Sequence, residues 1–219
     1  SPAEAQTYAA GVREEYRGLR EAHARQHADK ARLPLRAARA NALSLAGWAK
    51  LAAATAAAAD GVQQGLRQAI ADELAHLQAA WPKGLPEGVI HADMFPDNTL
   101  FVGERLTGVI DFYFACTDMY AYDVAVNLNA WCFEPDGSFN LTKGRALLHG
   151  YAAVRPLAAN ESAALPLLAR GAALRFLLTR LYDWINRDPA ALVRPKDPLQ
   201  CLGWLRFHQH VEGAGDYGL

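Results

Sequence analysis

One stretch limits what this chain can fold into more than any other. Residues 89–112 hold His91, Asp93, Asn98 and Asp111. Each borders an apolar run. Val89-Ile90 leads into His91, and Thr99 to Val102 and Leu106 to Ile110 flank a Gly103-Glu104-Arg105 turn, so two strands joined as a hairpin are expected. Asp111-Phe112 closes the second strand. Asp93 follows His91 by two residues, Asn98 follows Asp93 by five, and Asp111 follows Asn98 by thirteen. A plain structural account exists: Pro96-Asp97-Asn98 makes a turn and Asp111 ends a strand. It leaves unexplained why four polar residues line up at the ends of apolar segments.

This order and spacing resembles the protein-kinase catalytic loop, His-x-Asp, four residues, Asn, then Asp-Phe after a hairpin. Phosphoryl transfer needs a carboxylate to orient the attacking hydroxyl and take its proton, which suits Asp93. It also needs hard oxygen ligands for Mg²⁺ beside the nucleotide phosphates, which suits Asn98 and Asp111.

The rest of the chain supports a helical surround. A charged helix is expected over 3–28, with Ser1-Pro2 and Glu4 as its start signal and a thin stripe of Tyr8, Val12, Tyr16, Leu19 and His23. Pro34 follows it. An alanine-rich helix over 36–59 is expected to break near Gly47 and end at Gly61, with Trp48 and Leu51 as anchors. The next, over 62–80, shows Val62, Leu66, Ile70, Leu74 and Leu77 on one face. Further helices are expected over 120–133, 140–153, 160–187 and 199–211, the last after a linker bracketed by Pro195 and Pro198. The Gly-rich tail from Glu212 reads as loose.

With 52% hydrophobic residues and 21% charged, the chain can bury a core, and a net charge of −1 argues against nucleic acid or a polybasic membrane surface. The cysteines Cys116, Cys132 and Cys201 form no metal motif or disulfide framework. A reducing, cytoplasmic location is therefore expected. No apolar run reaches the ~18 residues of a membrane span, and the N-terminus has no signal-like core. His208-x-His210 on a helix points two ways and is not expected to bind metal. Cys116 reads as a small buried residue, and Phe112, Tyr113 and Phe114 as packing for the cleft floor and the helices.

From Asn41 onward the chain resembles the homoserine kinases of the aminoglycoside/choline phosphotransferase group. The residues that carry this are Asn41-Ala-Leu-Ser-Leu-Ala-Gly-Trp48, Gly88-Val-Ile-His-Ala-Asp-Met-Phe-Pro-Asp-Asn98, Ile110-Asp-Phe-Tyr-Phe-Ala-Cys-Thr-Asp118, the block from Ala173 to Trp184, and Arg194-Pro-Lys-Asp-Pro198. The resemblance implies a mainly α fold with a small β-hairpin, the C-terminal lobe of a protein-kinase-like fold. It implies ATP-dependent phosphorylation of the L-homoserine hydroxyl in threonine biosynthesis, with Mg²⁺ and ATP. Asp93 would be the catalytic base, Asn98 and Asp111 the magnesium ligands, and His91 a brace for the loop.

The family ties an aspartate near Asp118 or Asp123 to the catalytic loop; the alternative for Asp123 is a helix N-cap. Arg175, Arg180, Tyr182, Asp183 and Trp184 are candidate substrate residues, since an arginine and an aspartate suit an amino acid. The alternative is a surface Arg180–Asp183 pair with Trp184 in the core.

The N-terminal β lobe of such kinases, with its Gly-rich loop and strand lysine, is not legible before residue 88. Through Val12-Arg-Glu-Glu-Tyr16 and Pro34-Leu-Arg-Ala-Ala-Arg-Ala-Asn-Ala42, residues 3–40 instead resemble the linker after the cobalamin domain of methionine synthase, which divides the chain into a 1–40 charged helical segment and a 41–219 kinase-like C-terminal lobe. Two other functions remain open: a choline- or aminoglycoside-type phosphotransferase, and a non-catalytic remnant or interaction module. The partners expected are ATP and a small amino acid or amino alcohol, together with a homo-oligomer or self-association through an exposed apolar cleft face.

Overall fold

The structure, a computed structural model, describes residues 39–187 and 195–219. The expected helix over 3–28 lies outside them. Helices α1 (Leu45–Val62), α2 (Leu66–Ala80), α3 (Tyr120–Trp131), α4 (Leu141–Val154), α5 (Ala159–Ile185) and α6 (Pro198–His208) surround two small antiparallel sheets. Strand β1 (Glu87–Ile90) pairs with β4 (Cys116–Met119), and β2 (Thr99–Val102) pairs with β3 (Arg105–Val109), with a bulge at Leu100/Phe101. The mainly α expectation and the hairpin both hold.

Helix α5 is the axis of the core. Leu165, Leu168, Leu174, Leu177, Leu178 and Leu181 are wholly buried, and α1, α3 and α6 pack around the helix. By length and composition it is apolar enough to cross a membrane, with a mean hydropathy of 1.2 over 18 residues, contrary to the expectation that no run reaches that limit. Most of that window is buried inside the fold, as befits a core helix. Its first turn is fixed by Glu161, which accepts from Ala158 N–H at 3.0 Å and pairs with Arg155 at 3.0 Å.

Two helix boundaries differ from the sequence reading. Helix α1 starts at Leu45 and runs unbroken through Gly47 and Gly61 to Val62. Gly47 is a close approach, not a break: a Cβ there would lie 2.1 Å from the Ala42 carbonyl oxygen. The break comes at Gly65, whose φ of 79° starts α2 from the left-handed region. Val62 therefore belongs to α1. A second close approach, at Gly171 of α5, admits Trp81 and Trp48, whose rings meet edge to face at 5.1 Å between centroids.

The tail is not loose. Tyr217 is wholly buried in a short 3-10 turn, Ala214–Tyr217, and its hydroxyl lies 2.7 Å from His208 Nδ1. His208 Nε2 faces Asn129 Oδ1 at 3.2 Å. Asn129 Nδ2 already donates to the Ala125 and Ala169 carbonyls, so His208 must donate from Nε2 and accept at Nδ1. Burial, helped by Arg170, pushes the His208 pKa down to about 3. The folded state thus binds fewer protons here than the unfolded state, where His titrates near ~6.5. Stability from this group is present above that value and is lost as pH falls toward 3. Unfolding free energy is expected to drop by about 2 kcal/mol between pH ~7 and ~5. Urea melts at both pH values should show the loss, and His208→Gln should reduce it.

Candidate active site

The catalytic loop leaves β1 and doubles back beneath α3. Ala92 sits at φ 63°, a conformation that non-glycine residues adopt only under constraint. Asp123, wholly buried in the first turn of α3, supplies that constraint. Its Oδ2 accepts from His91 N–H at 3.1 Å and its Oδ1 from Ala92 N–H at 2.8 Å. It is not the N-cap, a position held by Met119. Asp118 does something else: it accepts from Asn41 Nδ2 at 2.7 Å and from Met119 N–H at 2.8 Å, pinning the entry to α1 against β4.

His91 is wholly buried. Its Nδ1 accepts from Asp93 N–H at 3.3 Å, so Nε2 carries the proton donated to the Ile110 carbonyl at 2.9 Å. One ring thereby joins Asp93 to the strand end before Asp111. Asn98 makes a second link. Its Nδ2 donates to the Asp93 carbonyl at 2.7 Å, and its own carbonyl accepts from Ile110 N–H at 3.0 Å. That leaves Asn98 Oδ1 uncommitted to the loop. Asp111 lies at φ 57° and caps the turn Phe112–Phe114 by accepting from Tyr113 N–H at 3.4 Å.

Arg175 is not a rim residue. It is buried in α5 and donates from Nη1 to the Ala92 carbonyl at 2.7 Å and to Asp93 Oδ1 at 3.2 Å. Its guanidinium lies 4.2 Å from the Phe176 centroid and 5.1 Å from that of Phe114. Asp93 is therefore gripped from below by Arg175 while its carboxylate opens to a cavity of about 200 Å³, lined by Asp93, Phe95, Asp97, Asn98, Asp111, Phe176, Arg180 and Lys196.

Of the other substrate candidates, only Arg180 lines this cavity. Tyr182 and Asp183 are exposed further along α5, and Trp184 is half-buried under Arg187 rather than in the core. Arg180 bonds to Gln200 Oε1 at 2.8 Å, not to Asp183. Phe112 and Tyr113 are 46% and 70% exposed and do not floor the cleft. Lys196 and Asp97, which pair at 2.8 Å, were missed. The Arg194-Pro-Lys-Asp-Pro198 block carried the resemblance without hinting that its lysine reaches this cavity. Burial pushes the Cys116 thiol up to about 12, in keeping with an inert buried residue.

The chemistry of the donor set fits a divalent cation. Asn98 and Asp111 offer hard oxygen atoms on one wall of the cavity. Among the described residues no group of three His, Cys, Asp or Glu side chains could hold a metal unaided. A site for Mg²⁺ shared with nucleotide phosphates requires only one or two protein oxygens.

The model of the phosphotransferase enzyme family (APH) matches residues 2–157. The chain belongs to that family. The match runs through 2–40, the stretch set apart above as a separate segment. The chain is 70% identical over 181 residues to the homoserine kinase of Xanthobacter autotrophicus, covering 83% of this chain and 56% of that protein. It is 61% identical over 203 residues to the homoserine kinase of Bradyrhizobium diazoefficiens, covering 92% and 62%. It thus spans little more than half the length of these family relatives. Among solved structures, amicoumacin kinase hAmiN in complex with AMP-PNP, Ca2+ and Ami matches 91% of this chain and 59% of that one, with a TM-score of 0.57 at 14% identity. The shared fold is that of this kinase-like family.

Proposed function

We propose that this chain carries the catalytic half of an ATP-dependent kinase acting on the side-chain hydroxyl of L-homoserine. The observation that carries the reading is the convergence of Asp93, Asn98 and Asp111 on one cavity, with Asp93 held by Arg175. Homoserine kinases at 61–70% identity supply the substrate. In this reading the substrate hydroxyl donates a hydrogen bond to Asp93. As its oxygen attacks the γ-phosphorus of ATP, the proton passes to Asp93, the bond to the bridging oxygen breaks and ADP leaves. Asn98 and Asp111 would hold a magnesium ion, which would supply positive charge beside the phosphates when bound. Arg175 keeps the Asp93 carboxylate aimed at the cavity, and His91 fixes the loop to the Asp111 strand.

The test is Mg²⁺-dependent formation of phosphohomoserine and ADP by the 219-residue chain, beside Asp93→Asn. Loss of the base is expected to lower kcat by about 10²- to 10⁴-fold with little change in fold. Equal turnover by parent and variant would rule out Asp93 as the base. No product from a folded parent chain would reject transfer by this chain alone and favour the non-catalytic reading.

A further inference from the structure

Three charged residues that line the cavity beside Asp93, namely Asp97, Arg180 and Lys196, have no role in the chemistry just described. Lys196 and Asp97, ninety-nine residues apart, meet at 2.8 Å with side chains 60% and 74% exposed. Arg180 and Lys196 both lie over the Phe95 ring, at 5.9 and 5.6 Å from its centroid. Phe95 in turn packs edge-on against Phe176 at 4.8 Å. Two cations thus stand on an aromatic base, one of them paired with the Asp97 carboxylate, and all three line the same cavity as Asp93.

We propose that Arg180, Lys196 and Asp97 form the recognition end of the cleft for a zwitterionic amino acid. The cations take its α-carboxylate and Asp97 takes its α-ammonium, while its hydroxyl lies at Asp93. This names residues for the homoserine reading and rests on it. The charge arithmetic favours a zwitterion. Inserted between Lys196 and Asp97, it replaces one ion pair by two and leaves no charge without a partner. An amino alcohol or a choline-like cation satisfies Asp97 but strands Lys196 beside Arg180, so the same groups select against it. The exchange is cheap, because an exposed ion pair contributes little to stability. Arg180 is also prepared: among the described residues both of its hydrogen bonds, to Gln200 and to the Asp197 carbonyl, leave from Nη1. Its remaining donors are available for a carboxylate.

The experiment is equilibrium calorimetry on the 219-residue chain with L-homoserine, with L-homoserinol, in which the carboxylate is reduced to an alcohol, and with AMP-PNP plus Mg²⁺. The chains compared are the parent, Arg180→Met and Lys196→Met, each checked for an unchanged melting temperature. Both variants are expected to weaken L-homoserine binding roughly tenfold or more. Homoserinol should bind the parent weakly and both variants at least as well, since neither then strands Lys196 beside Arg180, and AMP-PNP should be unaffected. Three results overturn the proposal: homoserine affinity unchanged in both variants, no homoserine binding to the parent, or loss of AMP-PNP binding instead, which would make the cations a phosphate site. Phosphohomoserine formation is scored separately. Product made with affinity unchanged in the variants sinks this subsite and leaves the kinase reading standing. Cation-dependent homoserine binding without product does the reverse.

Discussion

Replacing Asp123 by alanine is expected to unseat the catalytic loop and weaken the fold together. The carboxylate is wholly buried and accepts from two successive backbone N–H groups, those of His91 and Ala92. Without it both donors lose their partner in a dry environment, at about 1–3 kcal/mol each. The left-handed Ala92, which costs about 1–2 kcal/mol to hold, would also lose its restraint. The expected net loss is about 3–5 kcal/mol of unfolding free energy in urea melts. Asp93, the base in the proposed reading, is the next residue, and a displacement of about 1 Å at such a group lowers rate by about 10²-fold. Activity should therefore fall by at least that factor even where the variant is folded. Asp123→Asn keeps one acceptor and should land between. An Asp123→Ala chain that melts like the parent would show that Arg175, His91 and Asn98 hold the loop without it.

The second large effect lies away from the site. Glu73 of α2 is nearly fully buried and receives a bidentate grip from Arg170 of α5, at 2.8 and 2.7 Å, and a third bond from Gln209 at 2.8 Å. Three segments, α2, α5 and the residue after α6, meet on one carboxylate. Arg170→Met should cost about 3–5 kcal/mol, because a buried charge is left with one neutral partner. Glu73→Leu combined with Arg170→Met should recover most of the loss, since no buried charge then remains. Equilibrium unfolding of the single and double variants decides it. If the two single losses simply add in the double variant, the pair is not coupled.

What was legible in the sequence was what is local. His91, Asp93, Asn98 and Asp111 fall within one loop and one hairpin, so spacing alone placed them together. Strand β4 escaped notice because Cys116 to Met119 is only four residues, shows no alternation, and pairs with a strand nearly thirty residues earlier. Arg175 was read as a substrate residue because a charge on a long helix says nothing about what lies 82 residues upstream, where it grips Asp93. For Asp123 the tie to the catalytic loop implied by the resemblance is what the structure shows, and the local alternative, a helix N-cap, is not. The tail was misjudged on composition, since three glycines around Tyr217 conceal how much one buried tyrosine can anchor. Helix ends were displaced because Gly47 and Gly61 read as breaks, while the helix accommodates both.

Asp123 has a consequence for where the site can adapt. The loop carrying Asp93 hangs from a core carboxylate and a core arginine, so it can open only when α3 and α5 part, and it belongs to the same cooperative unit as the hydrophobic interior. Arg180 and Lys196 sit at the edge of that unit, with Lys196 on an exposed side chain. Arg180 is half-buried and Lys196 exposed, and substitution at an exposed position such as Lys196 typically changes stability by no more than about 0.5 kcal/mol. In the proposed reading, the end of the cleft that carries Asp93 is therefore tied to the core, while Lys196 can be replaced at little cost to the fold.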